Sequence, residues 1–118
     1  MQDFRNVKVW EKAHSLALLV YQMTFDFPKE ELFGLRSTLR RIAADIPAKI
    51  AQGCNVNNDA DFVRLQQTAF GFAAQLEHYF LLARDLKLFT EAEYIRLNNE
   101  IVEIKKMLNN FMKRLSNG

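Results

Sequence analysis

From Tyr94 to Leu115 the apolar residues fall at Tyr94, Leu97, Ile101, Ile104, Leu108, Phe111 and Leu115, alternating steps of 3 and 4 without a miss. On an α-helix that alternation draws one continuous stripe, the a/d seam of a helix that packs against other helices. The seam opens with Thr90-Glu91-Ala92-Glu93, a capping box in which the Thr hydroxyl and the Glu carboxylate satisfy orphan backbone donors. A helix with such a seam has to bury it, and the rest of the chain supplies helical partners.

Three further helical segments follow from apolar periodicity. The first runs from about Val7 to Thr24, with Trp10, Ala13, Ala17, Val20 and Thr24 on one face and Leu16, Leu19, Met23 and Phe27 on a second. It ends near Phe27-Pro28, because a residue before proline disfavours helical angles. The second runs from about Glu31 to Gly53, with Leu35, Leu39, Ile42, Ile46 and Ile50 as its stripe. Pro47 falls inside it, removing one backbone donor and crowding the carbonyl of Ala43 at a cost of ~3 kcal/mol. Burying Ile46 and Ile50 returns roughly 1.5 to 3 kcal/mol each. One helix kinked at Pro47 is therefore expected, with Gly53 as a left-handed stop. The third begins near Asp59 or Asp61 as N-cap and carries Phe62, Leu65, Ala69, Phe72, Leu76, Phe80 and Ala83. Gly71 sits within it at a cost of about 1 kcal/mol relative to alanine, which suggests a close helix crossing there. Four amphipathic segments with short connections give an all-α, antiparallel up-down four-helix bundle, one domain over residues 1–118.

The bulk properties agree and narrow the chemistry. Nearly half of the 118 residues are apolar, and only four are Gly and two Pro. Such a chain buries a core without disulfides or metals. Two His and one Cys exclude a His/Cys metal site within one subunit. Lone Cys54 points to a reducing compartment and reads as a small residue at a helix end rather than a nucleophile. No segment reaches the roughly 18 to 20 apolar residues of a membrane span. The N-terminus, which alternates charged and apolar residues, lacks the apolar run of a signal peptide. A cytoplasmic protein is expected. A net charge of +2 does not by itself indicate nucleic-acid binding.

The segment FPKEELFGLRSTLRRIAADIPAKIAQG, from Phe27 to Gly53, closely resembles the signature of the four-helix-bundle proteins encoded in 23S rRNA intervening sequences. The resemblance rests on the spacing of Pro28, Glu31, Gly34, Leu35, Arg41, Pro47, Ile50, Ala51 and Gly53. The segments VKVWEKAHSLALLVYQMT and AFGFAAQLEHYFLLARDLKLF are similar to that family's first and third helices. Asp45, Lys49, Gln52 and Thr38 stand where Ser, Asn, Glu and Gln are typical, and Phe72 and Gln75 replace Ser and Glu. The resemblance implies a homopentameric ring with no known enzymatic activity. A weaker likeness, resting on fold and basic residues, is to the accessory variability proteins of diversity-generating retroelements, and implies RNA or DNA and a reverse transcriptase as partners.

The candidate nucleic-acid-binding residues are basic. Arg36 and Arg40 share a helix face, and Arg41 is rotated by about 100° from Arg40. Lys49 lies in the same region, and Lys105, Lys106, Lys113 and Arg114 make a second group near the C-terminus. Against this stand ordinary surface ion pairs of the arginines with Glu30, Glu31 and Asp45, and the preference of cations for a helix C-terminus. A pentamer would gather about fifteen of these arginine guanidiniums on one assembly, and charge density governs counterion release. Ile95, Val102 and Met112 lie off the heptad seam as candidate subunit contacts. His14 and His78 read as packing residues, Glu77 and Asp85 lack the His of a di-iron pattern, and no phosphate loop or nucleophile elbow occurs. No cofactor, metal or small-molecule substrate is expected. Two functions remain: a non-catalytic oligomer that binds nucleic acid, or a structural or protein-binding assembly without nucleic-acid contact.

Overall fold

A computed structural model describes residues 2–116, with side chains described as far as Lys113. It contains four α-helices: α1 (Lys8–Met23), α2 (Leu35–Cys54), α3 (Asp59–Asp85) and α4 (Glu91–Ser116). Each helix packs on its sequence neighbours, and α4 closes on α1. The diagonal pairs α1–α3 and α2–α4 make no close backbone approach among the described residues. Between α3 and α4, Phe62 meets Phe111, Lys105 bonds Glu77 and Arg84 lies over Tyr94. Position therefore rises along α3 as it falls along α4.

The α2 and α4 stripes supply much of the core, whereas Trp10, Leu19 and Met23 of α1 and Phe72 of α3 are only half-buried against it. Leu97, Ile101, Ile104, Leu108 and Phe111 of α4 are buried, as are Leu35, Leu39, Ile42, Ile46 and Ile50 of α2. Tyr94 is half-buried. The expectation for Leu115 lies outside the described side chains. The capping box forms as its residues dictate. Glu93 N–H donates to Thr90 Oγ1 at 3.1 Å and Thr90 N–H to Glu93 Oε1 at 2.9 Å. α2 runs without interruption through Pro47, whose ring is itself buried beside Ala43, Ile46 and Ile50. Apolar contact on both sides of the proline thus offsets the missing backbone bond.

Four local expectations are corrected. α2 starts at Leu35, not Glu31, because Lys29–Glu31 is a separate 3-10 turn. Glu31 instead folds its carboxylate over the start of α2 and accepts from Leu35 N–H at 3.0 Å. The N-cap of α3 is Asn58, which accepts from Asp61 N–H at 2.8 Å, so neither Asp59 nor Asp61 is the cap. Gly53 is no left-handed stop: no glycine has positive φ among the described residues, and α2 continues to Cys54. The α2 end is satisfied from outside the helix, with Gln2 N–H donating to Cys54 O at 3.1 Å.

Gly71 is the fourth correction. A Cβ there would meet nothing within 4 Å, so no close crossing explains it. The close crossing is at Gly53, where a Cβ would collide with the Gln66 side-chain amide. Gln66 is fully buried and donates from Nε2 to Ile50 O at 3.4 Å, which pins α3 against α2.

The connections α1–α2 and α3–α4 share one end of the bundle, since Phe27 and Phe89 touch with ring centroids 5.2 Å apart. The opposite end holds the α2–α3 connection and the later part of α4, joined by Phe62 and Phe111. The molecule measures 46 × 22 × 20 Å, so the two ends are well separated surfaces.

Candidate nucleic-acid interface

The arginine cluster is placed by the first turns of α2. Tyr21, Leu32, Arg36, Ser37, Arg40 and Arg41 line an open cleft of 370 Å³ at the end holding the α1–α2 connection. No carboxylate lines it. The expected ion pairs with Glu30, Glu31 and Asp45 do not form among the described residues. The physical reason is visible for Glu31, whose carboxylate is held by Leu35 N–H.

The three arginines have different jobs. Arg40 reaches back to the end of α1, donating from Nε to Thr24 Oγ1 at 2.9 Å and from Nη2 to Tyr21 O at 3.0 Å. Its guanidinium lies 4.5 Å from the Tyr21 ring centroid. Thr24, fully buried, donates its hydroxyl hydrogen bond to Val20 O at 2.8 Å. The last turn of α1 carries no basic residue, so Arg40 supplies from α2 the cation that the α1 carbonyls favour. Burial holds the Arg40 pKa below the ordinary arginine value, and the neighbouring charge of Arg36 lowers it further. Arg36 is half-buried and Arg41 exposed, and neither has a salt-bridge partner among the described residues.

The remaining basic residues do not join this cleft. Lys49, further along α2, donates to Gln52 Oε1 at 3.2 Å. Lys105 is paired with Glu77 of α3 at 2.9 Å and lies over the Phe70 ring. Lys106 and Lys113 are exposed on the C-terminal half of α4, toward the opposite end. Arg114 lies outside the described side chains. The sequence-expected group is therefore split into an arginine cleft at one end and a lysine surface toward the other.

Periodicity did not single out Phe25 and Phe33, which are 71% and 97% exposed where the chain passes from α1 to α2. Both stand outside the apolar stripes, and that is the sign by which they could have been found. Among the candidate subunit contacts, Ile95 is 50% exposed, while Val102 and Met112 are half-buried on the outer side of α4.

Burial pushes the Cys54 thiol up, away from the reactive thiolate. His14, exposed, stacks on Trp10 with centroids 4.8 Å apart, and His78, also exposed, meets Tyr79 edge-on. Among the described residues, no three His, Cys, Asp or Glu side chains gather to hold a metal ion. No described helix is long and apolar enough to cross a membrane.

The 23S rRNA-intervening sequence protein pattern matches residues 5–110, which includes the cleft and all but the end of α4. The chain belongs to that family. A protein of unknown function from the S23 ribosomal protein family of Bacteroides thetaiotaomicron has a similar solved structure. Its TM-score is 0.82 at 24% identity, covering 89% of this chain and 95% of that one. At that identity the likeness supports the bundle fold alone. No curated protein matches the chain significantly.

Proposed function

We propose that this family member is a non-catalytic, cytoplasmic, oligomeric bundle, pentameric as the family resemblance implies, that binds nucleic acid through the arginine cleft. The observation that carries the reading is the pairing state of Arg36 and Arg41. Both border a cleft without a carboxylate, and neither has an acidic partner among the described residues. Unpaired guanidiniums held close together attract phosphates, which arginine binds in a bidentate fork. Repetition around an oligomer multiplies a charge that is small in one chain.

The test is binding of a labelled structured RNA to the wild type and to the double variant Arg36→Ala/Arg41→Ala, with light scattering on the same samples. Wild-type affinity is expected to fall about tenfold or more between 50 and 200 mM salt, as phosphate contacts require. The double variant is expected to lose about tenfold or more at low salt with its mass unchanged. Equal binding by the two proteins contradicts the proposal.

A second reading, a protein-binding or structural assembly without nucleic acid, is favoured by the exposed apolar side chains Leu18 and Ile95. Under that reading the double variant dissociates toward monomer and the wild type binds no RNA.

A further inference from the structure

The same end of the bundle that carries the arginine cleft also carries two aromatic rings with nothing covering them. Phe33 is 97% exposed and sits next to Leu32, which lines the cleft, three residues ahead of Arg36. Phe25 is 71% exposed and follows Thr24, the residue that Arg40 grips from the cleft side. Neither ring has an aromatic neighbour or a cation over it among the described residues, although Phe27, two positions after Phe25, is packed on Phe89. The chain thus keeps two exposed apolar rings at the end of the bundle that carries the unpaired cations.

We infer that the arginine cleft with Phe33 and Phe25 binds unpaired strands, Arg36 and Arg41 holding phosphates while Phe33 stacks on a nucleobase. This inference rests on the nucleic-acid reading above and names the kind of nucleic acid. Bases within a duplex are stacked on their neighbours and present only their edges, so a protruding phenyl ring has nothing to cover. A single strand or loop offers free π-faces, and every base has one, so the recognition is tolerant of sequence. Charge complementarity decides the occupant. A purely apolar partner would leave Arg36 and Arg41 unpaired in a desolvated contact, whereas a polynucleotide satisfies the rings and the guanidiniums together. Arg40 commits its Nε and one Nη2 donor to Thr24 Oγ1 and Tyr21 O, so its main part is to hold α2 to the end of α1, and Arg36 and Arg41 carry the phosphate contacts.

Fluorescence anisotropy with two labelled RNAs tests this: an unstructured oligoadenylate of about 12 nucleotides, within the usual site sizes, and a blunt RNA duplex of the same length. The wild type is expected to bind the single strand more tightly than the duplex. Phe33→Ala is expected to weaken the single strand by about tenfold, in the range of one base–aromatic stack, and the duplex by less than about twofold. Phe33→Trp is expected to restore the single-strand affinity. Because the ring is solvent-exposed, the thermal transition of Phe33→Ala should match that of the wild type. The inference is overturned if Phe33→Ala leaves the single strand unaffected or weakens both RNAs equally. It is also overturned if the substitution changes only the mass in light scattering, which would make Phe33 a protein contact. If the wild type binds neither RNA, the nucleic-acid reading itself fails, a result distinct from a Phe33 effect that is absent while Arg36→Ala/Arg41→Ala still lowers affinity.

Discussion

Arg40 shows how neighbouring residues of one type divide their work. It shares a cleft with Arg36 and Arg41, yet two of its donors, Nε and Nη2, end on the last residues of α1 and its C-cap. A hydrogen bond from a charged donor contributes about 1.5–3 kcal/mol, and partial exposure reduces that. Arg40→Ala should therefore destabilise the fold by about 1–2 kcal/mol in urea denaturation. Arg36→Ala and Arg41→Ala should each stay within about 0.5 kcal/mol of wild type. An RNA-binding test that removes all three arginines at once would confuse unfolding with lost contacts. Cys54 gives a second residue-level prediction. Burial raises its folded pKa, so the folded state holds the thiol proton more tightly than the unfolded chain does. Below the free-thiol pKa of about 8.5 both states are protonated and pH has no effect through this group. Above it the unfolded chain ionises first, and stability falls as pH rises until the folded pKa is passed. Denaturation at pH 8 and pH 10 should show a larger loss for wild type than for Cys54→Ala. Equal losses would contradict it.

At the level of elements, the stripes and the α4 capping box were legible, while the α3 cap and the glycines were not. The seam of α4 and its Thr90–Glu93 capping box follow from local spacing, and both form. Asn58 is not distinguishable as the N-cap from sequence, because two aspartates of similar capping strength follow it. A glycine in a helix announces only a cost. Whether a neighbour requires it depends on which face it occupies, and that is tertiary information. Gly53 lies against Gln66 while Gly71 faces open space. Gly71→Ala should thus stabilise the isolated fold by up to about 1 kcal/mol through helix propensity. Gly53→Ala gains the same propensity but displaces a buried amide, with a net loss of about 1–3 kcal/mol. Urea midpoints that moved the same way for both would contradict this account of the α2–α3 crossing. The role of Arg40 was illegible for the same reason, since nothing in α2 says that α1 ends without its own cation.

For the whole molecule, the sequence could list the basic residues but not their distribution over a body 46 Å long. Lys105 is neutralised by Glu77, and Lys106 and Lys113 lie toward the end away from the cleft. The candidate surface therefore shrinks to Arg36 and Arg41, with Phe33 and Phe25 beside them. The family resemblance held at the level of membership and fold. The departures at Asp45 and Lys49 fall on α2 one to two turns beyond the arginines, and neither residue lines the cleft. The most direct test of the account is the affinity of wild type and Arg36→Ala/Arg41→Ala for one labelled RNA, measured across a salt series with Arg40 intact. Wild type is expected to bind tightly and in a salt-sensitive way, and the variant to lose about tenfold or more, with a shallower salt slope. Identical affinities and slopes for the two proteins would contradict it.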